Sequence, residues 1–208
     1  MELPLEAEEL VALVEKGIEL LGQEAHVRLF LAAGKASPLF LALFEPLPRV
    51  PPELYLRGVK LLPVGFGRPF PWVKGICRLD AYLARAGDRE AFEVLYCPGG
   101  EITEAETSNF FLILNNTLVT APEERVLPGV TRGIVLQLAE AMGLKTETRC
   151  PRLDELPKAG EAFITGTVKE ILPVVQVGDQ PIGHGVPGHI TERLMRAFKK
   201  EVERRMGG

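Results

Sequence analysis

The chain has 208 residues, which is long enough for one full domain and part of a second. Its hydrophobic fraction of 46% and charged fraction of 25% are those of a globular protein. A net charge of −4 provides no basic surface for nucleic acid or anionic lipid. No apolar stretch is long enough to cross a bilayer and no secretory pattern follows Met1, so we expect a cytoplasmic protein.

The cysteines and histidines form no pattern of metal ligands. Cys77, Cys97 and Cys150 are widely spaced and include no C-x-x-C pair. His184 and His189 lie in a Gly/Pro loop without an acidic or thiol partner, so we expect no metal. Seventeen prolines, with few asparagines and glutamines, favour a protein from a thermophile.

The first fifty residues predict one helix, two strands and a connector. Apolar residues at helical spacing predict an amphipathic helix over residues 6–21, and residues 26–33 and 39–44 predict strands. Four prolines within residues 45–52 remove amides that a sheet needs, which predicts a semi-rigid linker. We expect a small N-terminal domain at residues 1–47, a linker at residues 48–53 and a large domain at residues 54–208.

Beyond the linker, strands and helices do not alternate regularly. Predicted helices span residues 77–86, 131–142 and 192–203. Predicted strands span residues 54–64, 93–96, 110–114, 118–120, 145–149, 163–165 and 174–177. The pattern predicts a mixed α/β fold without repeated βαβ units.

Several side chains of the large domain could carry chemistry. Lys74 lies in apolar sequence, which would favour the neutral amine as nucleophile and base, although spacing alone also fits a surface lysine. Glu104 lies in an acidic turn that is either a solvated edge or the partner of a buried cation. The amides of Val130 and Thr131 begin a helix and suit a phosphate, although a threonine N-cap is equally common. Thr167 follows a strand and could contact the same phosphate.

Taken in order, these segments resemble the class IV aminotransferase family. The motif K-x-x-x-[RYL] fits residues 74–78, T-E-x-x-x-S-N-x-F fits residues 103–111, and L-P-G-[IV]-T-R fits residues 127–132. G-T-x-x-E-I-x-P-V fits residues 166–174, and G-x-G-x-P-G-x-[IVW]-T fits residues 183–191. The resemblance covers the whole chain beyond the linker.

The resemblance implies a fold-type IV enzyme that uses pyridoxal 5′-phosphate. Such enzymes have a small N-terminal α/β domain and a larger domain with a mixed, barrel-like sheet. The family pattern implies that Lys74 carries the cofactor as a Schiff base and moves the catalytic proton, while Glu104 keeps the pyridine nitrogen protonated. It also implies that the amides of Val130 and Thr131, together with Thr167, grip the phosphate.

The small domain is shorter than the family pattern. A G-x-F-E-type strand and an H-x-x-R-L segment, whose arginine contacts the phosphate, do not occur here. We therefore expect either a start further upstream or a truncated small domain, and truncation leaves a cofactor-binding protein with little activity as an alternative. Apolar residues 39–44 would lack cover in a monomer, and family members are homodimers, so we expect a homodimer.

The residues after the lysine distinguish branches of the family. Transaminases often read K-x-x-N-Y or K-x-x-N-L, whereas 4-amino-4-deoxychorismate lyases often read K-x-x-N-R. Arg78 favours the lyase, which makes 4-aminobenzoate and pyruvate for folate biosynthesis, although Cys77 replaces the usual asparagine. Arg28 is a second candidate for binding substrate carboxylates, and a surface ion pair is the alternative for both arginines. The alternative activity is transamination of branched-chain or D-amino acids with 2-oxoglutarate.

Overall fold

The structure, a computed structural model, describes residues 5–35 and 37–207. They divide into two units, one ending at Arg49 and the other beginning at Val50. The division falls within the proline-rich stretch. No helix among the described residues is long and apolar enough to cross a membrane.

The N-terminal unit is a helix packed on a hairpin. Helix α1 spans Ala7–Leu21, and strands β1 (His26–Ala32) and β2 (Leu39–Glu45) pair in antiparallel fashion. A Cβ atom at Gly17 would lie 1.9 Å from the Phe44 ring, so glycine lets α1 approach one face of the hairpin closely. The other face of β2 leaves large apolar side chains exposed: Leu39, Leu41 and Leu43.

The C-terminal unit contains four α-helices, three short 3₁₀ helices and eight strands in the part of the chain that the structure describes. The α-helices are α2 (Pro52–Arg57), α3 (Leu79–Arg85), α4 (Val130–Ala141) and α5 (His189–Met206). The strands are β3 (Val59–Val64), β4 (Ala91–Tyr96), β5 (Asn109–Leu114), β6 (Thr117–Thr120), β7 (Lys145–Thr148), β8 (Glu161–Gly166), β9 (Glu170–Val177) and β10 (Gln180–Pro181).

One predicted strand was wrong in its first half. Residues 54–64 were expected to be extended throughout, but α2 occupies Pro52–Arg57 and only Val59–Val64 is a strand. Pro52 lies at the start of the helix, where proline's fixed φ fits and its missing amide costs nothing. Gly58 then reverses the chain with a φ of 75°, a conformation that favours glycine.

The eight strands form a single mixed sheet. Its order is β4-β3-β9-β8-β5-β6-β7, with β10 beside β9. The pairs β3–β4, β3–β9 and β6–β7 are parallel, and the others are antiparallel. No ladder among the described residues joins the outer strands β4 and β7, so the sheet is not a closed barrel.

Alternation along β5 divides the core into two layers. Phe110 and Leu112 point into the core on one face, whereas Phe111 and Ile113 point towards α4 and α5 on the other. The Phe111 ring stacks on Phe163 of β8, with ring centroids 4.8 Å apart. Both faces of β5 and β8 are covered, and the candidate site lies at the ends of these strands.

Candidate active site

A cavity of about 280 Å³ brings together residues of four of the five family motifs, and the motif at residues 183–191 does not line it. Its lining comes from the segment after β3, the loop before β5, the start of α4 and the end of β8. It includes every site residue that the sequence predicted in the large domain: Lys74, Arg78, Glu104, Val130, Thr131 and Thr167. A larger cavity of about 630 Å³ lies beside α2 and α3 and contains none of these residues.

The start of α4 presents amides that no side chain caps. Gly129, not Thr131, is the N-cap residue, and it makes no side-chain cap hydrogen bond. Its lack of a side chain is required, because a Cβ atom would lie 2.2 Å from the Asn109 amide oxygen. Asn109 Nδ2 donates to the Leu127 carbonyl over 2.8 Å, which fixes the chain entering the helix. Free amides at the positive end of a helix suit an anion such as a phosphate.

Threonines at the end of β8 face the same cavity. Thr165 lies opposite Asn109 in the β5–β8 ladder. The Thr165 hydroxyl is buried and has no hydrogen-bond partner among the described residues. Thr167 follows in the turn between β8 and β9 and also lines the cavity. A buried hydroxyl without a partner is costly in a folded protein, so its presence here fits a site built to receive a ligand.

Glu104 is the buried carboxylate of the cavity. Its Oε2 accepts a hydrogen bond from the Leu127 amide over 3.0 Å, and its Oε1 lies 2.9 Å from Arg68 Nε. Burial raises the pKa of Glu104 above its ordinary value, and the positive charge of Arg68 and the Leu127 amide offset this effect only in part.

The two neighbouring acidic residues have different surroundings. Glu101 forms an ion pair with Arg125 at 3.0 Å, and both side chains are exposed, so it is part of a solvated edge. Glu106 lines the cavity, and burial raises its pKa. Its carboxylate lies 3.6 Å from Arg85. In the acidic turn, Glu101 is therefore part of a solvated edge, whereas Glu104 and Glu106 line the cavity.

Lys74 lies in an irregular segment between β3 and α3 and lines the cavity. Lys74 is itself exposed in the single chain, as its alternative interpretation had it. The flanking Trp72 is 63% exposed and Ile76 is 72% exposed, so these apolar side chains do not desolvate the lysine in the single chain.

A buried carboxylate outside the family motifs holds two walls of the cavity together. Glu93 of β4 accepts hydrogen bonds from the Thr107 amide at 3.0 Å, the Thr107 hydroxyl at 2.7 Å and the Ser108 hydroxyl at 3.1 Å. It also pairs with the Lys169 ammonium, from the turn that carries Thr167. This cluster fixes the loop before β5 relative to the β8–β9 turn.

The two candidate substrate arginines lie in different units. Arg78 precedes α3 and lines the cavity. Arg28 lies on β1 of the N-terminal unit, where its guanidinium is 3.3 Å from the Glu45 carboxylate and 4.9 Å from the centre of the Phe30 ring. Arg28 thus makes the surface ion pair that was its alternative interpretation.

Sequence reasoning did not single out Arg68 or Glu93. It included Thr165 in the turn 165–167 that could close on the phosphate, and it included Asn109 only as part of a motif, without a role of its own. Asn109 lies inside the T-E-x-x-x-S-N-x-F motif, so its importance could have been found there. Arg68 and Glu93 carry no such signal, because each acts through a partner far along the chain. Among the described residues, no group of three histidine, cysteine, aspartate or glutamate side chains could hold a metal.

The profile of the family described as "Amino-transferase class IV" matches residues 1–177. The chain therefore belongs to the class IV aminotransferases, the pyridoxal-phosphate-dependent enzymes of fold type IV. The predicted family, fold class, cofactor class and class of enzyme are confirmed at this level.

Similar proteins come from several branches of the family. The chain is 37% identical to a D-alanine aminotransferase of Bacillus licheniformis over 119 residues, which is 57% of this chain and 42% of that protein. It is 30% identical over 220 residues to a Methanocaldococcus jannaschii protein provisionally named a branched-chain-amino-acid aminotransferase, covering 96% of this chain and 75% of that one. The crystal structure of 4-amino-4-deoxychorismate lyase from Pseudomonas aeruginosa matches with a TM-score of 0.79 and 25% identity, over 95% of this chain and 78% of that one. The chain thus spans less than half of the first relative and about three quarters of the other two.

Proposed function

We propose that the cavity binds pyridoxal 5′-phosphate and that Lys74 is the catalytic lysine. The observation that carries this proposal is that the family's motif residues, far apart in sequence, line one cavity. The residues present fit the cofactor's chemical groups. The α4 amides without a side-chain cap suit the phosphate, as does the Thr165 hydroxyl, which has no hydrogen-bond partner within residues 5–35 and 37–207. The buried Glu104 carboxylate suits a protonated ring nitrogen.

Each residue has a defined task in this proposal. Lys74 Nζ would bind the cofactor covalently and, once displaced by the substrate amine, take the proton from the amine-bearing carbon. Glu104 would hold the ring nitrogen protonated. The amides of Val130 and Thr131, with Thr167, would hold the phosphate. Bound pyridoxal phosphate supplies an electron sink that stabilises negative charge on that carbon.

Absorption spectroscopy and chemical trapping test the assignment of Lys74. Purified protein mixed with pyridoxal phosphate should show a visible band that is absent from Lys74→Ala. Borohydride reduction followed by peptide mapping should place the adduct on the peptide with Trp72 and Lys74. Lys60→Ala is the matched control, because Lys60 pairs with Asp88 at 2.8 Å and lines the other cavity. An adduct on Lys60 or Lys169 would contradict the assignment of Lys74. If the chain binds the cofactor but shows no turnover, the alternative of a cofactor-binding protein with little activity is favoured.

We further propose that the reaction is the conversion of 4-amino-4-deoxychorismate to 4-aminobenzoate and pyruvate, a step of folate biosynthesis. Support comes from Arg78, which occupies the lyase slot of the motif and lines the cavity with Lys74. A substrate with two carboxylates needs cations, and a guanidinium binds a carboxylate in bidentate fashion. Lys74 would remove the ring proton, the bond between the ring and the enolpyruvyl oxygen would break, and the gain of aromaticity would drive the step.

Transamination is the second candidate, and a specific observation favours it. Two of the similar proteins are named aminotransferases for D-alanine or branched-chain amino acids, at 37% and 30% identity, compared with 25% for the lyase. A transaminase must store the amino group on the cofactor until 2-oxoglutarate arrives. A lyase returns the cofactor to its aldehyde form in every cycle.

A single-turnover experiment separates the two reactions. Aminodeoxychorismate should give 4-aminobenzoate and pyruvate in equal amounts without a keto acid, and Arg78→Met should raise KM for it. If pyridoxamine phosphate accumulates with D-alanine or leucine and no 4-aminobenzoate forms, the protein is an aminotransferase.

We also propose that the protein is a homodimer. Beside Lys74, the segment from Phe70 to Leu83 exposes a series of large apolar side chains: Phe70, Trp72, Val73, Ile76, Leu79, Tyr82 and Leu83. The exposed leucines of β2 form another such surface. Apolar patches of this kind usually mark contacts between proteins. Light scattering at micromolar concentration should give twice the chain mass, and Trp72→Asp should shift the mass towards the monomer. A monomeric wild-type protein would contradict the proposal.

A further inference from the structure

Arg68 joins two parts of the cavity that the family motifs treat separately. Its Nε lies 2.9 Å from Oε1 of Glu104, and its Nη2 donates to the carbonyl of Pro71. Pro71 lies three residues before Lys74. One guanidinium therefore contacts both the buried carboxylate and the segment that carries the candidate catalytic lysine.

The pair is buried enough for its charges to act strongly on one another. The Arg68 side chain is 12% exposed and that of Glu104 is 3% exposed. Burial alone favours a neutral carboxyl group, and this is the largest influence on the pKa of Glu104. Arg68 supplies the largest opposing influence, and a guanidinium keeps its charge at every accessible pH.

The carboxylate retains room for another donor. Arg68 faces Oε1, and the Leu127 amide donates to Oε2. An ionised carboxylate has about four acceptor positions, so these two contacts leave positions for a third group. A protonated Glu104 would lose the negative charge with which it could hold a cationic ring nitrogen.

We propose that Arg68 is a positioning residue that shifts Glu104 towards its ionised form and orders the segment from Pro71 to Lys74. The inference rests on the proposed function, in which Glu104 pairs with the cofactor's ring nitrogen and Lys74 binds the cofactor. Arg68 acts through these two residues. Removal of the Arg68 guanidinium should therefore change the protonation of Glu104 and the placement of Lys74.

Titration of Glu104 tests the first half of the proposal without the cofactor. Protein labelled with ¹³C at glutamate carboxyl groups is followed by NMR from acid to neutral pH, and Glu104→Gln identifies the Glu104 signal. Arg68→Met should raise the midpoint of Glu104 by about 1–3 pH units, because an opposite charge at this distance lowers a carboxyl pKa by that amount. Arg68→Lys, which keeps the charge, should restore most of the wild-type midpoint.

Arg85→Met is the matched control, because Arg85 lies 3.6 Å from Glu106, the other carboxylate of the cavity. It should leave the Glu104 midpoint unchanged. Circular dichroism checks each variant, and Arg68→Gln replaces Arg68→Met if the latter unfolds. An unchanged Glu104 midpoint in a folded, charge-removing variant would overturn the inference, as would an equal shift in Arg85→Met.

The loaded protein tests the second half. If the hydrogen bond to Pro71 orders Lys74, the rate of borohydride trapping at Lys74 should fall at least about tenfold in both Arg68→Met and Arg68→Lys. Misplacement of a reacting group costs that much or more in rate. Wild-type rates in both variants would overturn this half. If the wild-type chain forms no adduct at Lys74, the proposed function fails, whereas the Glu104 titration still decides whether Arg68 shifts that carboxylate towards its ionised form.

Discussion

Glu93 offers a quantitative test of how the walls of the cavity are held. Its carboxylate accepts bonds from the Thr107 amide and from the Thr107 and Ser108 hydroxyls, and it pairs with Lys169. Glu93→Ala removes the carboxylate that accepts from Thr107 and Ser108 and that neutralises Lys169, whose ammonium keeps, among the described residues, only its hydrogen bond to the Thr107 hydroxyl. The substitution leaves an ammonium group beside the cavity without its carboxylate.

The size of the effect follows from burial. Removing one partner of a buried ion pair typically costs about 3–5 kcal/mol, because the other charge stays desolvated. The Lys169 side chain is 12% exposed and lies 5.8 Å from the centre of the Phe92 ring, so part of its charge remains stabilised. We therefore expect a loss of about 3 kcal/mol in the free energy of unfolding. In a protein of this size that corresponds to a fall of roughly 6–12 °C in Tm.

Urea unfolding followed by circular dichroism measures this loss. Glu192→Ala is the matched control, because Glu192 forms an exposed ion pair with Arg196 at 3.6 Å and should cost less than about 1 kcal/mol. The double variant Glu93→Gln with Lys169→Met removes both charges and should be less destabilised than the sum of its single changes.

Two results would refute the reasoning about Glu93. One is a cost for Glu93→Ala no greater than that for Glu192→Ala. The other is strict additivity in the double variant, which would mean that Glu93 and Lys169 do not stabilise one another.

Three further predictions concern the site and its surroundings. Glu104→Ala should leave cofactor binding measurable and slow proton removal from the substrate on the order of 100-fold or more; turnover near wild type would contradict its role. Burial raises the pKa of Tyr96 from 10.0 to about 12. The folded state therefore favours the neutral phenol, and this contribution to stability should be fully present below pH 10 and fall by about 3 kcal/mol as the pH rises to 12. Tyr96→Phe should remove this loss in alkaline unfolding curves. Gly129→Ala should displace Asn109, lower the free energy of unfolding by about 1–3 kcal/mol and weaken phosphate binding. Gly133 has open space around it, so Gly133→Ala should raise the free energy of unfolding by about 0.5–1 kcal/mol in the same urea assay.

Local patterns in the sequence determined most of the secondary structure, and the family motifs indicated which residues line the cavity. Apolar periodicity located α1, α4, α5 and most strands, because burial of one face repeats at a fixed interval along each element. The motif residues Lys74, Glu104 and Thr167 line one cavity although 93 positions separate the first from the last. The motifs implied this convergence through family resemblance, since spacing alone could not predict it.

The tertiary structure decided which charged residues are buried and with which partners. Charge and turn composition do not distinguish Glu101 from Glu104, and only the family motif singled out Glu104. In the structure Glu101 is an exposed partner of Arg125, whereas Glu104 is buried against Arg68. The pair of Glu93 and Lys169 joins residues 76 positions apart. Ion pairs of this kind depend on how strands and loops pack in space, and the energy of a charge depends on its burial, which no short stretch of sequence specifies.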